Sequence, residues 1–221
     1  MSSELLRLAE VMDRLRSPGG CPWDAEQTHQ SLIKYLLEES YEFVDSVDED
    51  DRIAMREELG DILLQVYFHS RLAQEHPSDP FDIEEVAKGI TDKLIRRHPH
   101  VFGAQEINNT EELKENWERL KAKEKGRKSA TDGIAISQPA VALITKLLYR
   151  AEKAGIKLDL PENFNITSSA NDSSQNSLER SIGDTFIAAI AVAIKNGIEP
   201  EDLLRSRARE IADVIKLNES L

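Results

Sequence analysis

Leu36-Leu37-Glu38-Glu39-Ser40-Tyr41-Glu42, followed after a short interval by Glu57-Glu58-Leu59-Gly60-Asp61, reads as parts of two consecutive helices. Residues three apart share a helix face, so Glu39 lies over Glu42 and Glu58 over Asp61. Between the motifs, Ser46-Val47-Asp48-Glu49-Asp50-Asp51 reads as a polar connection short enough to fold the helices back antiparallel. The two acidic pairs then face each other, and four carboxylates converge.

Such convergence needs compensation, since like charges about 4 Å apart repel by roughly 4 kcal/mol at an effective dielectric near 20. A bound cation is the simplest remedy. The four groups Glu39, Glu42, Glu58 and Asp61 are all hard oxygen donors, so the expected ion is Mg²⁺, with Mn²⁺ as a substitute, rather than Zn²⁺. The competing reading is a solvated acidic face, the usual meaning of Glu at this spacing. The flanks argue against it. Ile62-Leu63-Leu64-Gln65-Val66-Tyr67-Phe68 is apolar nearly all round, with Leu64 and Phe68 bordering the acidic stripe and Leu59, Ile62, Leu63 and Val66 opposite. That pattern predicts a buried helix. On the preceding helix Ile33, Leu36, Leu37, Phe43, Val44 and Val47 form the expected core stripe, with Glu39 at its edge and Glu42 further round beside Tyr35.

The chain of 221 residues suffices for one sizeable core or two small domains, and its 31% charged and 40% hydrophobic residues indicate a soluble globular protein. A net charge of -13 excludes long-range attraction to nucleic acid polymers or anionic lipid. The lone Cys21 provides neither a disulfide framework nor a metal-binding spacing, in keeping with a reducing compartment. The start carries no basic and apolar leader, and the longest apolar run, Phe186 to Ile194, is too short to span a bilayer. A cytoplasmic protein without membrane contact is expected.

Taken in order, Leu5, Leu8, Val11, Met12 and Leu15 recur at helical spacing, with Ser2 or Ser3 as cap. Pro18-Gly19-Gly20-Cys21-Pro22-Trp23 interrupts, and Asp24-Ala25-Glu26-Gln27 has the form of a capping box opening the next helix. Trp23 serves either the core or a pocket wall. The acidic hairpin runs to about Gln74, before Pro77 and Pro80. A further helix starting near Asp82 is expected to bury Ile83, Val86, Ala87, Ile90 and Leu94 and to end in Lys93-Leu94-Ile95-Arg96-Arg97-His98. Cations suit a helix C-terminus, but in so acidic a chain Lys93, Arg96 and Arg97 are also candidate phosphate ligands. Asn109-Thr110 caps a helix carrying Leu113, Trp117 and Leu120, where Trp117 either stacks on a base or packs, and the basic, then small and polar stretch Gly126 to Gln138 reads as a linker.

Beyond the linker the chain echoes itself. Ser181-Ile182-Gly183-Asp184 repeats Glu58-Leu59-Gly60-Asp61, and Pro200-Glu201-Asp202 repeats Pro80-Phe81-Asp82. Ser181 replaces the glutamate, and Asn163 to Ser177, a polar Asn/Ser-rich stretch expected to be mobile, stands where an acidic partner helix belongs. Expected domains are therefore a catalytic helical domain 1–128, a linker 129–139 and a degenerate second repeat 140–221.

Glu-Glu-x-x-Glu followed by Glu-x-x-Asp resembles the motif of the all-α nucleoside triphosphate pyrophosphohydrolases of the MazG family. Cys21-Pro22-Trp23-Asp24, Gln27-Thr28, Leu37-Glu38-Glu39, Glu58-Leu59-Gly60-Asp61 and Arg96-Arg97-His98-Pro99-His100-Val101-Phe102 are similar to that family's N-terminal repeat. The resemblance implies an all-α helical bundle, dimeric, whose active site is completed by a second subunit. It further implies Mg²⁺ on Glu39, Glu42, Glu58 and Asp61, with Glu38 beside the metal or activating water. Lys93, Arg97 and Lys121 match positions contacting the triphosphate, Arg96 falls in the same motif, and Trp117 matches one near the base or sugar. In the active second repeat of longer relatives a phosphate-binding Lys lies one turn before the second acidic motif, where this chain has Ala54 with Arg52 and Arg56 as neighbours. The implied reaction releases nucleoside monophosphate and pyrophosphate with broad base tolerance, as housecleaning of the nucleotide pool.

Two rivals differ in class. A carboxylate-bridged di-iron bundle requires Glu-x-x-His pairs, which neither acidic motif has. A helical dimer that binds nucleotide or protein after losing catalysis would account for the decayed second half.

Overall fold

The computed structural model of the chain describes residues 3–104, 109–110, 112–113, 116–117, 120, 124, 126, 128–160 and 175–219, the side chains of 175–177 excepted. Among the described residues there is no strand, and the chain is all-α. It divides into two compact units, Met1–Thr110 and Glu111–Leu221.

In the first unit, α1 (Glu4–Arg16) starts on Ser3, whose hydroxyl accepts from the Leu6 amide. The chain turns sharply at Gly19 and Gly20. Gly19 has φ of 80°, and a Cβ on Gly20 would stand 2.3 Å from the carbonyl oxygens of Arg14 and Leu15, so only glycine fits. Pro22 then opens a short helix, α2 (Pro22–Glu26), where its missing N–H costs nothing. This displaces the expected capping box. Thr28, not Asp24, caps α3 (His29–Asp48), exchanging side-chain and backbone hydrogen bonds with Ser31.

α3 runs further than its polar end suggests. Ser46 is a buried helical residue that donates its hydroxyl to the Phe43 carbonyl at 2.7 Å, which spares it a lone donor. The turn before α4 (Arg52–Ala73) is therefore only Glu49-Asp50-Asp51, with Asp50 in the left-handed region at φ 53°. Asp51 caps α4 by accepting from the Ile53 and Ala54 amides at 2.9 and 3.1 Å. After Pro77 and Pro80, Asp82 and Glu85 form a reciprocal capping box on α5 (Ile83–Arg97), and α6 (Pro99–Phe102) follows directly.

The core of this unit is Met12, Leu32, Tyr67, Phe68 and Leu72, edged by Leu8, Leu15, Tyr35, Leu63, Leu64 and Ile83. It joins α1 and the N-terminal end of α5 to the second half of α4. Arg16, whose side chain is 7% exposed, locks the same end. Its guanidinium donates to both Glu75 carboxylate oxygens at 2.9 and 2.8 Å and to the carbonyls of Asp24 and Gln27. Arg71 extends the network from Glu75 to Asp13 at 3.0 and 2.8 Å.

The expected core stripe is corrected by this arrangement. Leu32 is the fully buried residue of α3, while Ile33, Leu37 and Val47 are about half exposed. On α4, Leu59 and Val66 likewise face outward, and on α5 Ala87, Ile90 and Leu94 are exposed although Ile83 and Val86 are partly covered. Periodicity identifies an apolar face, but which neighbour covers it is a tertiary matter.

The second unit contains α7 (Ala140–Lys153), α8 (Gln175–Lys195) and α9 (Pro200–Glu219). Small residues Ala151, Ala188 and Ala193 are buried with Ile190, which lets the helices approach closely. Gly155 (φ 66°) and Gly197 (φ 71°) end α7 and α8 in the left-handed conformation typical of helix termini. Ser181-Ile182-Gly183-Asp184 lies within α8, and residues 161–174, most of the stretch expected to be mobile, lie outside the described residues. No single described helix is long and apolar enough to cross a membrane.

Candidate active site

α3 and α4 form an antiparallel hairpin whose register is fixed at two levels. At the open end, His29 Nδ1 and His69 Nδ1 are 2.8 Å apart. Their ring planes differ by 10° and their centroids, 5.1 Å apart, are about one ring width further separated than the nitrogens. The imidazoles therefore meet edge to edge, sharing one proton. Ten residues along α3, the same register sets Glu39 opposite Glu58 and Asp61.

There the carboxylate oxygens of Glu39, Glu58 and Asp61 all lie within 4.8 Å of one another, each residue half-buried. Glu42, exposed at the rim, lies close enough to act on the Glu58 carboxyl. Burial raises the Glu39 carboxyl above its ordinary value, and the charges of Asp61, Glu42, Glu58 and Glu38 push it further. Glu58 is raised in the same way, by desolvation and then by Glu42, Asp61 and Glu57. Each group disfavours ionisation of its neighbours. Three carboxylates gathered within 4.8 Å of one another could serve together as ligands of a small hard cation. The donor set is all oxygen, which suits that ion.

The other expected residues are placed as follows. Glu38 is exposed on α3, next to Glu39 and within its electrostatic reach. Arg96 (exposed) and Arg97 (buried) occupy the last turn of α5, the element packed against α4, and Lys93 (half-buried) lies just before it. Arg52 and Arg56 are exposed on the first turns of α4. Trp117 is half-buried and helical in the second unit, and Lys121 lies outside the described residues. Trp23 is about half exposed, its indole edge-on to Tyr35 and Phe68 at 5.9 and 6.5 Å, so it both packs on the core and presents a surface.

Sequence reading passed over Gln65 and the histidine pair. Gln65 follows Asp61 by four residues and is 6% exposed, yet its Oε1 is buried without a hydrogen-bond partner. His69, four residues on, has a similarly orphaned Nε2. The available signal was a Gln and a His at helical spacing from the acidic motif, inside an otherwise apolar run.

An all-α chain whose opposed helices gather acidic side chains in this way offers a cluster of oxygen ligands, and the comparisons with known proteins define its class. Residues 27–102 match the MazG nucleotide pyrophosphohydrolase domain. The nucleoside triphosphate pyrophosphohydrolase/pyrophosphatase MazG of Thermotoga maritima is 36% identical over 222 residues, covering 97% of this chain and 85% of that protein. A nucleoside triphosphate pyrophosphohydrolase of Mycobacterium tuberculosis is 41% identical over 208 residues, 90% of this chain and 63% of the relative. An uncharacterized 26.1 kDa protein of Streptomyces cacaoi is 42% identical over 218 residues, 98% of this chain and 83% of its own. This chain belongs to the MazG family.

Proposed function

We propose that this chain hydrolyses nucleoside triphosphates to nucleoside monophosphate and pyrophosphate, tolerating different bases, and so clears unwanted triphosphates from the cytoplasmic pool. The observation carrying this reading is the convergence of Glu39, Glu58 and Asp61 from opposed helices in a member of the MazG family. Glu39, Glu42, Glu58 and Asp61 would hold Mg²⁺, or Mn²⁺ in its place. When bound, the ion supplies Lewis-acid polarisation of phosphate oxygens and neutralises charge on the departing pyrophosphate.

The chain's own residues do the rest. Glu38, exposed beside Glu39, accepts a proton from the attacking water. Lys93, Arg96 and Arg97 bind the triphosphate, with Arg52 or Arg56 serving in place of the lysine found in longer relatives. Their positive charge favours the triphosphate over the less charged product. The active form is a homodimer. Ile33, Leu37, Tyr41 and Val47 on α3, with Ile53 and Leu59 on α4, leave an apolar hairpin surface about half or more exposed, which a second copy would cover.

Product analysis tests the reading: the purified chain with a panel of nucleoside triphosphates, in Mg²⁺ and in chelator, beside Glu39→Gln. Metal-dependent monophosphate and pyrophosphate, lost in the variant, is the expected outcome. Orthophosphate release, or binding without turnover, would replace it with another phosphohydrolase or a non-catalytic binding protein.

A further inference from the structure

The two helices that carry the carboxylate cluster are tied at both ends. The turn Glu49-Asp50-Asp51 joins them covalently, and the hydrogen bond between His29 Nδ1 and His69 Nδ1 closes the other end at 2.8 Å. Glu39 lies midway, ten residues from His29 and ten from Glu49, about 15 Å from each along the helix axis. Leu32, buried about one turn on from His29, keeps α3 against α4, but apolar contact is non-directional and leaves register and rotation open. The cluster itself opposes closure, because its like charges push the helices apart when no cation is bound.

The chemistry of the histidine bond makes it sensitive to a single proton. His29 is exposed, whereas His69 is half-buried and its Nε2 is sealed without a partner. A buried N–H lacking an acceptor is costly, so the neutral pair carries the His69 proton on Nδ1, donating to the bare Nδ1 of His29, whose own proton sits on Nε2 in water. A further proton on His29 occupies that Nδ1. Two N–H groups then oppose each other, unless the His69 proton moves to Nε2, where nothing accepts it. Burial, and then the His29 charge, hold the His69 pKa below its ordinary value. Among the described residues no carboxylate pairs with either ring: Asp13 and Arg16 of α1 are engaged with Arg71 and Glu75 of α4, Asp82 and Glu85 cap α5, and Lys34 of α3 lies over the Tyr35 ring.

We infer that His29 and His69 are positioning residues: their hydrogen bond holds Glu39 against Glu58 and Asp61 in readiness for the ion, and one added proton on the pair releases it. The inference rests on the metal-binding part of the proposed function and is independent of the reaction that follows.

Mn²⁺ binding to the full chain, followed by the paramagnetic resonance of the free ion at pH 7.5 and 5.5, tests this beside His29→Asn and His29→Ala. His29 is exposed, so neither variant disturbs the core. The asparagine Oδ1 falls near the place of Nδ1 and accepts the same hydrogen bond but takes up no proton, whereas alanine removes the bond. At pH 7.5 the wild type and His29→Asn are expected to bind alike, with His29→Ala about tenfold weaker, the scale of one hydrogen bond. At pH 5.5 protonation of the carboxylates weakens all three chains alike, and the wild type is expected to fall about tenfold behind His29→Asn and to join His29→Ala. Equal affinities of the three chains at pH 7.5, His29→Asn as weak as His29→Ala, or a parallel fall of wild type and His29→Asn with acid would each overturn the inference while leaving the pyrophosphohydrolase reading intact. No Mn²⁺ binding by the wild type would remove the metal site and this inference together. The expected binding pattern without pyrophosphate release from any nucleotide would support the inference and overturn only the reading of the reaction.

Discussion

Glu39 on α3 and Asp61 on α4 present carboxylate oxygens within 4.8 Å of each other and of Glu58, although 22 residues separate the two in the chain. Without a cation this contact is repulsive, and the Glu39 carboxyl is raised by burial first and then by the charges of Asp61 and its other acidic neighbours. Replacing one ligand relieves the repulsion while removing the ion's grip. Glu39→Gln should therefore raise the melting temperature in chelator, lose the stabilisation that Mg²⁺ gives the wild type, and lower turnover by about 100-fold or more. Thermal melts with and without Mg²⁺, beside a pyrophosphate assay, check all three.

The same cluster predicts a pH effect of definite sign. Glu39 and Glu58 have folded-state pKa values above their unfolded ones, so the folded chain binds more protons, and metal-free stability falls as pH rises through the raised values. Mg²⁺ competes with those protons. Its stabilising effect should be larger at pH 7.5 than at pH 5, measured as the shift in denaturation midpoint at fixed Mg²⁺.

Glu75 behaves in the opposite sense. Its hydrogen bonds from Arg16, then the charges of Arg16 and Arg71, hold its carboxyl below the ordinary value near 4.5. Its contribution is complete above that ordinary value and is lost as pH falls through the lowered folded one. Arg16→Met, which leaves two backbone carbonyls and Glu75 without their donor, should cost about 2–3 kcal/mol at pH 7 and flatten the acid limb of the stability profile. Urea denaturation between pH 3 and 7 measures both.

The shared proton of His29 and His69 adds a second pH window. His69 is lowered by burial and by the His29 charge, so the unfolded chain takes up a proton that the folded one resists. Stability from this source is present above about pH 6.5 and declines as pH falls toward the folded value. His29→Ala should shrink the difference in denaturation midpoint between pH 7.5 and 5.5.

The bare apolar face of the hairpin makes a prediction about assembly. Leu37 and Leu59 are each 52% exposed, on neighbouring helices. Lysine at either position should shift the chain toward monomer in sedimentation or light-scattering measurements and lower turnover per chain, with the helical content retained. A wild type that is monomeric at micromolar concentration would remove the dimer from the proposal.

Residue type and period alone determined the helical class, a cap at Ser2 or Ser3, a helix start near Asp82, the breaks at Pro18 and Pro77, and the acidic residues able to share an ion. These follow from local rules, since three- and four-residue spacing places side chains on a helix face whatever surrounds it. What only the tertiary structure decided was pairing and cover. Ser46 looked like loop but is buried in α3, because its hydroxyl can return to a carbonyl of its own helix. Ile33 and Leu37 looked like core, but α1 and α4 close over Leu32 instead, and the apolar stripe of a helix carries no mark of which neighbour will meet it. Gln65 and His69 became visible only once burial stripped their polar atoms of partners, a property of the packed hairpin and of no residue alone.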